Sequence, residues 1–225
     1  MKGVQRRGLH LNPDFGTLFQ RQLICGSARN HCHPRLAVPV ESHPFEAAGQ
    51  PAIDATADDA LRPNQLLAIT LGAIKEPQTC QQILAACQQL LVPGAIRSLA
   101  DQPLRYGLEI HHHGKLINDP HHPYQGRYAG DEDTRRKPAY HNGTAWTWLF
   151  PSFCEAWAMT YGKAGIEAAL SWLTGSTRLI ESGCLGHIPE ILDGDHPHTE
   201  RGCDAQAWGA SELLRVWLKL EKNNN

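Results

Sequence analysis

Hydrophobic and polar positions along the chain fall into a helical period and predict five helices, over residues 64–74, 77–91, 143–161, 163–180 and 204–221. In the second, Cys80, Ile83, Leu84, Cys87, Leu90 and Leu91 recur on one face, while Gln78, Gln81, Gln82, Gln88 and Gln89 keep the other wet. Pro77 suits its first turn, and Pro93-Gly94 stops it. Asp58 or Asp59 suits a cap or first-turn position before the first helix. The third stretch is apolar on nearly every side: only Thr147, Ser152, Glu155 and Thr160 interrupt it. Such a helix is buried all round. It is too interrupted to span a membrane, and Pro151 within it predicts a kink, because proline lacks a donor and crowds the preceding turn. Gly162 alone separates it from the amphipathic fourth helix. Asp204 is placed to cap the fifth, which is rich in apolar bulk.

Between these stretches the period disappears. Residues 95–142 hold glycines, prolines and six histidines, and residues 181–203 hold Glu181, Glu190, Asp193, Asp195 and Glu200. Residues 1–50 sustain no period of 2 or 3.6, apart from a short amphipathic stretch at FGTLFQRQLICG. Two domains are therefore expected: an irregular arm over 1–57 and a helical unit over 58–225. Short links within helix pairs and long polar loops between pairs predict two layers of antiparallel helices with long loops on one face, an all-α fold. The third and fifth helices are expected in the inner layer. The polar, aromatic-rich segments 62–65, 140–148, 187–195 and 206–208 all fall at the loop end. One concave site at the N-terminal ends of the inner helices is the economical inference.

Charge and cysteine usage narrow the classes. A formal net charge of −2 gives no general pull toward nucleic acid or anionic membrane. Seven scattered cysteines, and a start with no apolar signal core, suit a reduced cytoplasmic protein. Cys25, His31, Cys32 and His33 fit no standard zinc spacing. His111, His112, His113, His121 and His122 with Asp119 read as a solvated insertion rather than a metal site, since three adjacent histidines do not converge on one ion. No metal or cofactor is expected. Cys80 and Cys87 read as buried core thiols.

Four segments, LRPNQLLAI, RYAGDEDTRRKPAYHNGTAWTWL, GHIPEILDGD and RGCDAQAWGASELLR, occur in an order and spacing that resemble the C-terminal part of glycogen debranching enzymes, the amylo-alpha-1,6-glucosidase family. The resemblance runs from about residue 58 to 218. It implies the C-terminal portion of an (α/α)6 toroid, and inverting hydrolysis of an α-1,6-linked glucose on branched α-glucan such as glycogen or limit dextrin. An inverting glycosidase needs two carboxyl groups roughly 6.5–9.5 Å apart, one acid and one base. The resemblance places the base on Glu190, behind Pro189; Asp193, Asp195 and Glu181 are its rivals. It places Tyr140, His141, Trp146 and Trp208 against the glucosyl ring and Arg62, Asn64 and Gln65 on hydroxyls, with Thr144 and Gln206 on the same polar rim. Trp148, Trp157 and Trp217 are expected in the core. The family's acid is an aspartate upstream of the matching part, so the missing upstream part of the domain is an expected partner. A catalytically inactive carbohydrate-binding remnant is the alternative reading, and a histidine-based metal protein a third.

Overall fold

A computed structural model describes residues 59–224. The arm expected over 1–57, its amphipathic stretch, its four Cys and His candidates, and Asp58 lie outside the described residues.

Helices supply most of the regular structure. After a 3-10 turn at Pro63–Gln65 come α1 (Leu66–Thr70) and α2 (Pro77–Gln88). Then follow α3 (Lys137–Tyr140), α4 (Phe150–Ser176) and α5 (Ala207–Asn224). A 3-10 turn at Thr177–Ile180 extends α4, and a π-helical turn at Glu132–Arg136 precedes α3. The α2 start is built as its sequence suggests: Pro77 occupies the first turn, and the Glu76 carboxylate accepts from Gln78 N at 2.9 Å and from Thr79 N. Its periodic residues Cys80, Ile83, Leu84 and Cys87 are buried.

The largest helix differs from expectation at both of its prolonged features. It begins at Phe150 rather than 143, so Pro151 lies in the first turn, where its missing donor costs nothing, and it makes no kink there. The break comes at Gly162, whose φ of 63° and ψ of −140° divide α4 into two arms. The first arm is buried on all sides from Phe150 to Ala156, as an inner helix should be. The second buries only Gly165, Ala169, Leu173 and Ser176. Helix α5 starts at Ala207, three residues beyond Asp204. It buries Gly209, Val216 and Leu220 but leaves Leu214 and Leu218 56% exposed, so among the described residues it is amphipathic rather than enclosed. Asp59 caps no helix; its carboxylate accepts from the backbone N–H groups of Arg105 and Tyr106.

Strands amend the all-α expectation. A five-stranded antiparallel sheet runs in the order β1-β2-β5-β6-β7, from β1 (Leu91–Val92), β2 (Ala95–Arg97), β5 (Ala145–Trp146), β6 (Ile191–Leu192) and β7 (Glu200–Arg201). A separate hairpin joins β3 (His111–His112) to β4 (Lys115–Leu116). The regular structure of the described chain is thus mainly helical, with short antiparallel strands. The helix expected over 143–149 is strand and turn instead, because Trp146 pairs with Ile96 on one side and Ile191 on the other. The helix expected over 77–91 stops at Gln88, before Pro93-Gly94; Leu91 is already in β1, and Pro93-Gly94, with Gly94 at φ 79°, closes the β1–β2 hairpin instead.

The core has two main parts. One gathers α1, α2 and the first arm of α4 around Leu66, Ile69, Ile83, Leu84 and Phe153, with Trp148, Trp157 and Trp172 against it. The other joins both arms of α4 to α5 through Cys154, Leu173, Val216 and Leu220, with Trp217 alongside. Trp148, Trp157 and Trp217 thus sit against the core, as expected.

Candidate active site

The sheet sets the site. Register pairs place Ile191 opposite Trp146, and the residue before Ile191 is Glu190. Glu190 is held by its backbone and by its side chain. Its N–H donates to Cys203 O at 2.8 Å, and its carbonyl accepts from Thr147 N at 3.3 Å and Thr147 Oγ1 at 3.1 Å. Its carboxylate accepts from the Tyr140 hydroxyl on Oε1 and from Cys203 N, 3.0 Å from Oε2. Both carboxylate oxygens are therefore fixed by hydrogen-bond donors. The carboxylate lies in the wall of an open concavity of about 720 Å³, whose lining includes Tyr128, Arg136, Glu200, Arg201 and Asp204.

Behind this wall stands an aromatic cluster. Tyr140 lies edge-on to Trp146, with ring centroids 4.7 Å apart, and His141 stacks parallel to Trp146 at 5.3 Å. Tyr128 packs on Tyr140 at 5.6 Å, and the Arg136 guanidinium sits 5.9 Å from the Tyr128 ring. Burial pushes the Tyr140 hydroxyl pKa well above the usual phenol range, and its bond to Glu190 adds to the rise. His141 keeps an exposed edge, yet partial burial of its ring holds its pKa below the ordinary value; the nearby Arg62 charge acts in the same sense, and Glu190 opposes it. The imidazole is therefore neutral at physiological pH.

The remaining sequence candidates divide. The Arg62 guanidinium donates to Ser98 O at 3.1 Å, to His141 O and to Asn142 Oδ1 at 2.8 Å, tying the start of the described chain to the aromatic cluster. Gln65 is buried and donates to Arg62 O at 3.0 Å, while Asn64 beside it is exposed. Thr144 is fully buried; its hydroxyl donates to Tyr140 O at 2.7 Å, and Trp146 Nε1 donates to the same carbonyl at 3.0 Å. Gln206 N donates to Ile188 O at 3.2 Å, which anchors the start of α5 two residues from Glu190. Trp208 stacks on Trp148 at 4.1 Å and remains 49% exposed, a flat apolar face open to a ligand.

The rival carboxylates have other engagements. Asp193 is buried, accepts from Tyr128 N at 2.8 Å and pairs with Arg201 at 3.1 Å. Asp195 accepts from the Tyr124 hydroxyl at 2.9 Å and lies 3.7 Å from Arg127 Nε. Glu181 is exposed after the 3-10 turn that follows α4. Sequence reasoning missed Tyr128 and Arg136, although both lie inside the second of the four segments, and it missed Gly202 and the Cys203 N–H. Backbone donors carry no residue-type signal, and Gly202 matters only through its closeness to Glu190.

Among the described residues no three His, Cys, Asp or Glu side chains converge to hold a metal ion. No described helix is long and apolar enough to cross a membrane. Chemically, the arrangement offers a doubly anchored carboxylate beside aromatic surface in an open polar hollow, which suits activation of a water beside a sugar ring. No curated protein gives a significant match to the chain. The family model described as amylo-alpha-1,6-glucosidase matches residues 49–215 of the 225, and with that match the chain belongs to the amylo-alpha-1,6-glucosidase family.

Proposed function

We propose that this chain is the C-terminal part of a glycogen debranching-type α-1,6-glucosidase domain, the end of an (α/α)6 toroid that hydrolyses branched α-glucan with inversion. Glu190 is its general base. The observation that carries this reading is the Glu190 carboxylate, fixed by Tyr140 and Cys203 N at the wall of the concavity. Glu190 takes a proton from water as that water attacks the anomeric carbon. The bond from that carbon to the 6-oxygen breaks on the opposite face, and the departing oxygen needs a proton from an acid. Glu200 and Asp204 share the concavity with Glu190. The Glu200 carboxylate is engaged by the Ser182 hydroxyl. The family resemblance, rather than any described carboxylate, assigns the acid to an aspartate outside residues 59–224, supplied by another part of the domain. The five described cysteines are free thiols, in keeping with a cytoplasmic setting.

A binding-only role has one observation in its favour: the Trp148–Trp208 stack offers a sugar platform whose use requires no acid. The two readings separate on α-glucosyl fluoride, because fluoride leaves without protonation and the missing acid is bypassed. Release of fluoride and β-glucose, lost by about a hundredfold or more in Glu190→Gln, is the expected result. Maltooligosaccharide binding to the folded chain without fluoride release would instead establish the binding-only role.

A further inference from the structure

Tyr140 departs furthest from what its residue type suggests. A tyrosine on an aromatic rim reads as a sugar contact, but its hydroxyl donates to Glu190 Oε1. Its ring is held by Trp146 at 4.7 Å, His141 at 4.9 Å and Tyr128 at 5.6 Å. Its carbonyl is tied by Thr144 Oγ1 and Trp146 Nε1. Backbone, ring and hydroxyl are thus all fixed, which is the build of a part that orients something else. Burial keeps the phenol protonated, so it stays a donor wherever a carboxylate base is ionised.

We propose that Tyr140 is the positioning residue of Glu190: its hydroxyl, with the Cys203 N–H on the other oxygen, locks the carboxylate so that the remaining lone pairs face the concavity and the attacking water. This rests on the reading of Glu190 as the base. A carboxylate oxygen accepts at two sites, so one donor on each leaves one lone pair free on each. Rotation of the side chain breaks at least one of the two anchors. Thr147 acts on the same residue from behind, through the Glu190 carbonyl. The charged and titratable groups that share the concavity with Glu190 or act on the same cluster are Tyr128, His141, Arg136, Glu200, Arg201, Asp204 and the Cys203 thiol. None of these is changed by removing the Tyr140 hydroxyl.

The test is Tyr140→Phe, which keeps the ring contacts and deletes one oxygen. Two readouts are taken on the full chain: fluoride release from α-glucosyl fluoride across pH, and the carbon-13 titration of the Glu190 carboxyl in glutamate-labelled protein. The Glu190 signal is assigned by its absence in Glu190→Gln. We expect kcat to fall about ten- to a hundredfold with KM changed by less than about twofold. The acid limb of the profile and the Glu190 titration both move to higher pH, because a donor that favoured the charged form is gone. A Glu190 titration that does not move overturns the proposal whether or not the chain hydrolyses anything. A raised KM with an unmoved acid limb returns Tyr140 to the sugar. Absence of fluoride release from the unsubstituted chain defeats the reading of Glu190 as base, and the titration then decides the Tyr140–Glu190 coupling alone. If Tyr140→Phe does not fold, 3-fluorotyrosine at position 140 serves instead: its more acidic hydroxyl donates more strongly, and the Glu190 titration moves to lower pH.

Discussion

A β-carbon at position 202 would stand 2.4 Å from Glu190 Oε2 and 3.1 Å from Ile191 Cγ1, and Gly202 has a φ of 72°. Gly202→Ala therefore brings two penalties. The left-handed backbone costs an alanine about 1–2 kcal/mol, read as a lower melting temperature. The methyl also displaces the carboxylate, and a misplacement of about 1 Å can cost about a hundredfold in rate. Fluoride release should fall by that order while the folded fraction at assay temperature stays high. A Gly202→Ala chain with unchanged activity would show that Glu190 does not work from the observed position. At this scale the sequence gives residue types but not what they face. Glu190 is singled out by the sequence only through the resemblance of the segment GHIPEILDGD, where it follows a proline. Arg62 and Thr144 are donors of the kind that read hydroxyls, yet their hydrogen bonds go to Ser98, His141, Asn142 and Tyr140 within the fold. The Arg62 placements depend on residues 36 to 80 positions away, which no local pattern encodes.

Helices were legible where burial imposes a period, and strands were not, because a strand of two residues has no period to detect. The first arm of α4 illustrates both. Its all-apolar composition announces burial, while Pro151 reads as mid-helix only because the apolar residues of β5 continue the helical run. Glu155, the one carboxylate in that arm, is 2% exposed and is matched by α5. Arg215 donates to it at 2.6 and 3.3 Å, and Lys219, one turn on, pairs with it at 2.5 Å. Burial pushes its pKa up, but the hydrogen bonds and charges of Arg215 and Lys219 outweigh this and hold it below the ordinary glutamate value. The group therefore stabilises the fold above its unfolded pKa of about 4.3, and that contribution is lost as pH falls through the lower folded value. Arg215 and Lys219 are 44% and 43% exposed, so removing Glu155 leaves them hydrated, whereas removing both cations strands a buried anion. Arg215→Met with Lys219→Met should cost about 3–5 kcal/mol at neutral pH. Burial then raises the Glu155 pKa unopposed, so mild acid should stabilise the double variant, whereas the parent loses this contribution only below about pH 4. Glu155→Gln on that background should recover part of the loss. Denaturant melts at about pH 7, 5 and 3 check both signs, the double variant gaining between pH 7 and 5 and the parent losing between pH 5 and 3, and an equal loss on substitution at all three would mean the triad does not carry the contact between α4 and α5.

For the molecule as a whole, the uncovered apolar surface is the telling feature. Leu214 and Leu218 lie one turn apart on α5 and are each 56% exposed, and Leu71 and Leu185 are 66% and 76% exposed. Residues one turn apart form a continuous ridge on a helix, and contiguous exposed apolar surface marks an interface. The helical pattern places α5 in an inner layer, enclosed by protein; among residues 59–224 only one of its faces is covered. Those two facts agree if the outer face of α5 normally lies against further polypeptide. Covering one leucine fully contributes about 1.5–3 kcal/mol, and these two are already partly covered. Even doubled across a symmetric contact, the gain only approaches the roughly 4–15 kcal/mol that association costs in lost freedom. Reversible self-association, rather than an obligate dimer, is the expected behaviour of the chain on its own. Sedimentation velocity over a dilution series should show a weight-average coefficient that rises with concentration and rises further in sulfate, which strengthens apolar burial. Leu214→Glu with Leu218→Glu should abolish that rise and leave the melting temperature within a few degrees, since neither side chain supports the core. A parent chain that stays monomeric throughout, unfolding in one cooperative step, would mean that the ridge on α5 is tolerated exposure, and the reading of this chain as one part of a larger helical ring would lose its physical support.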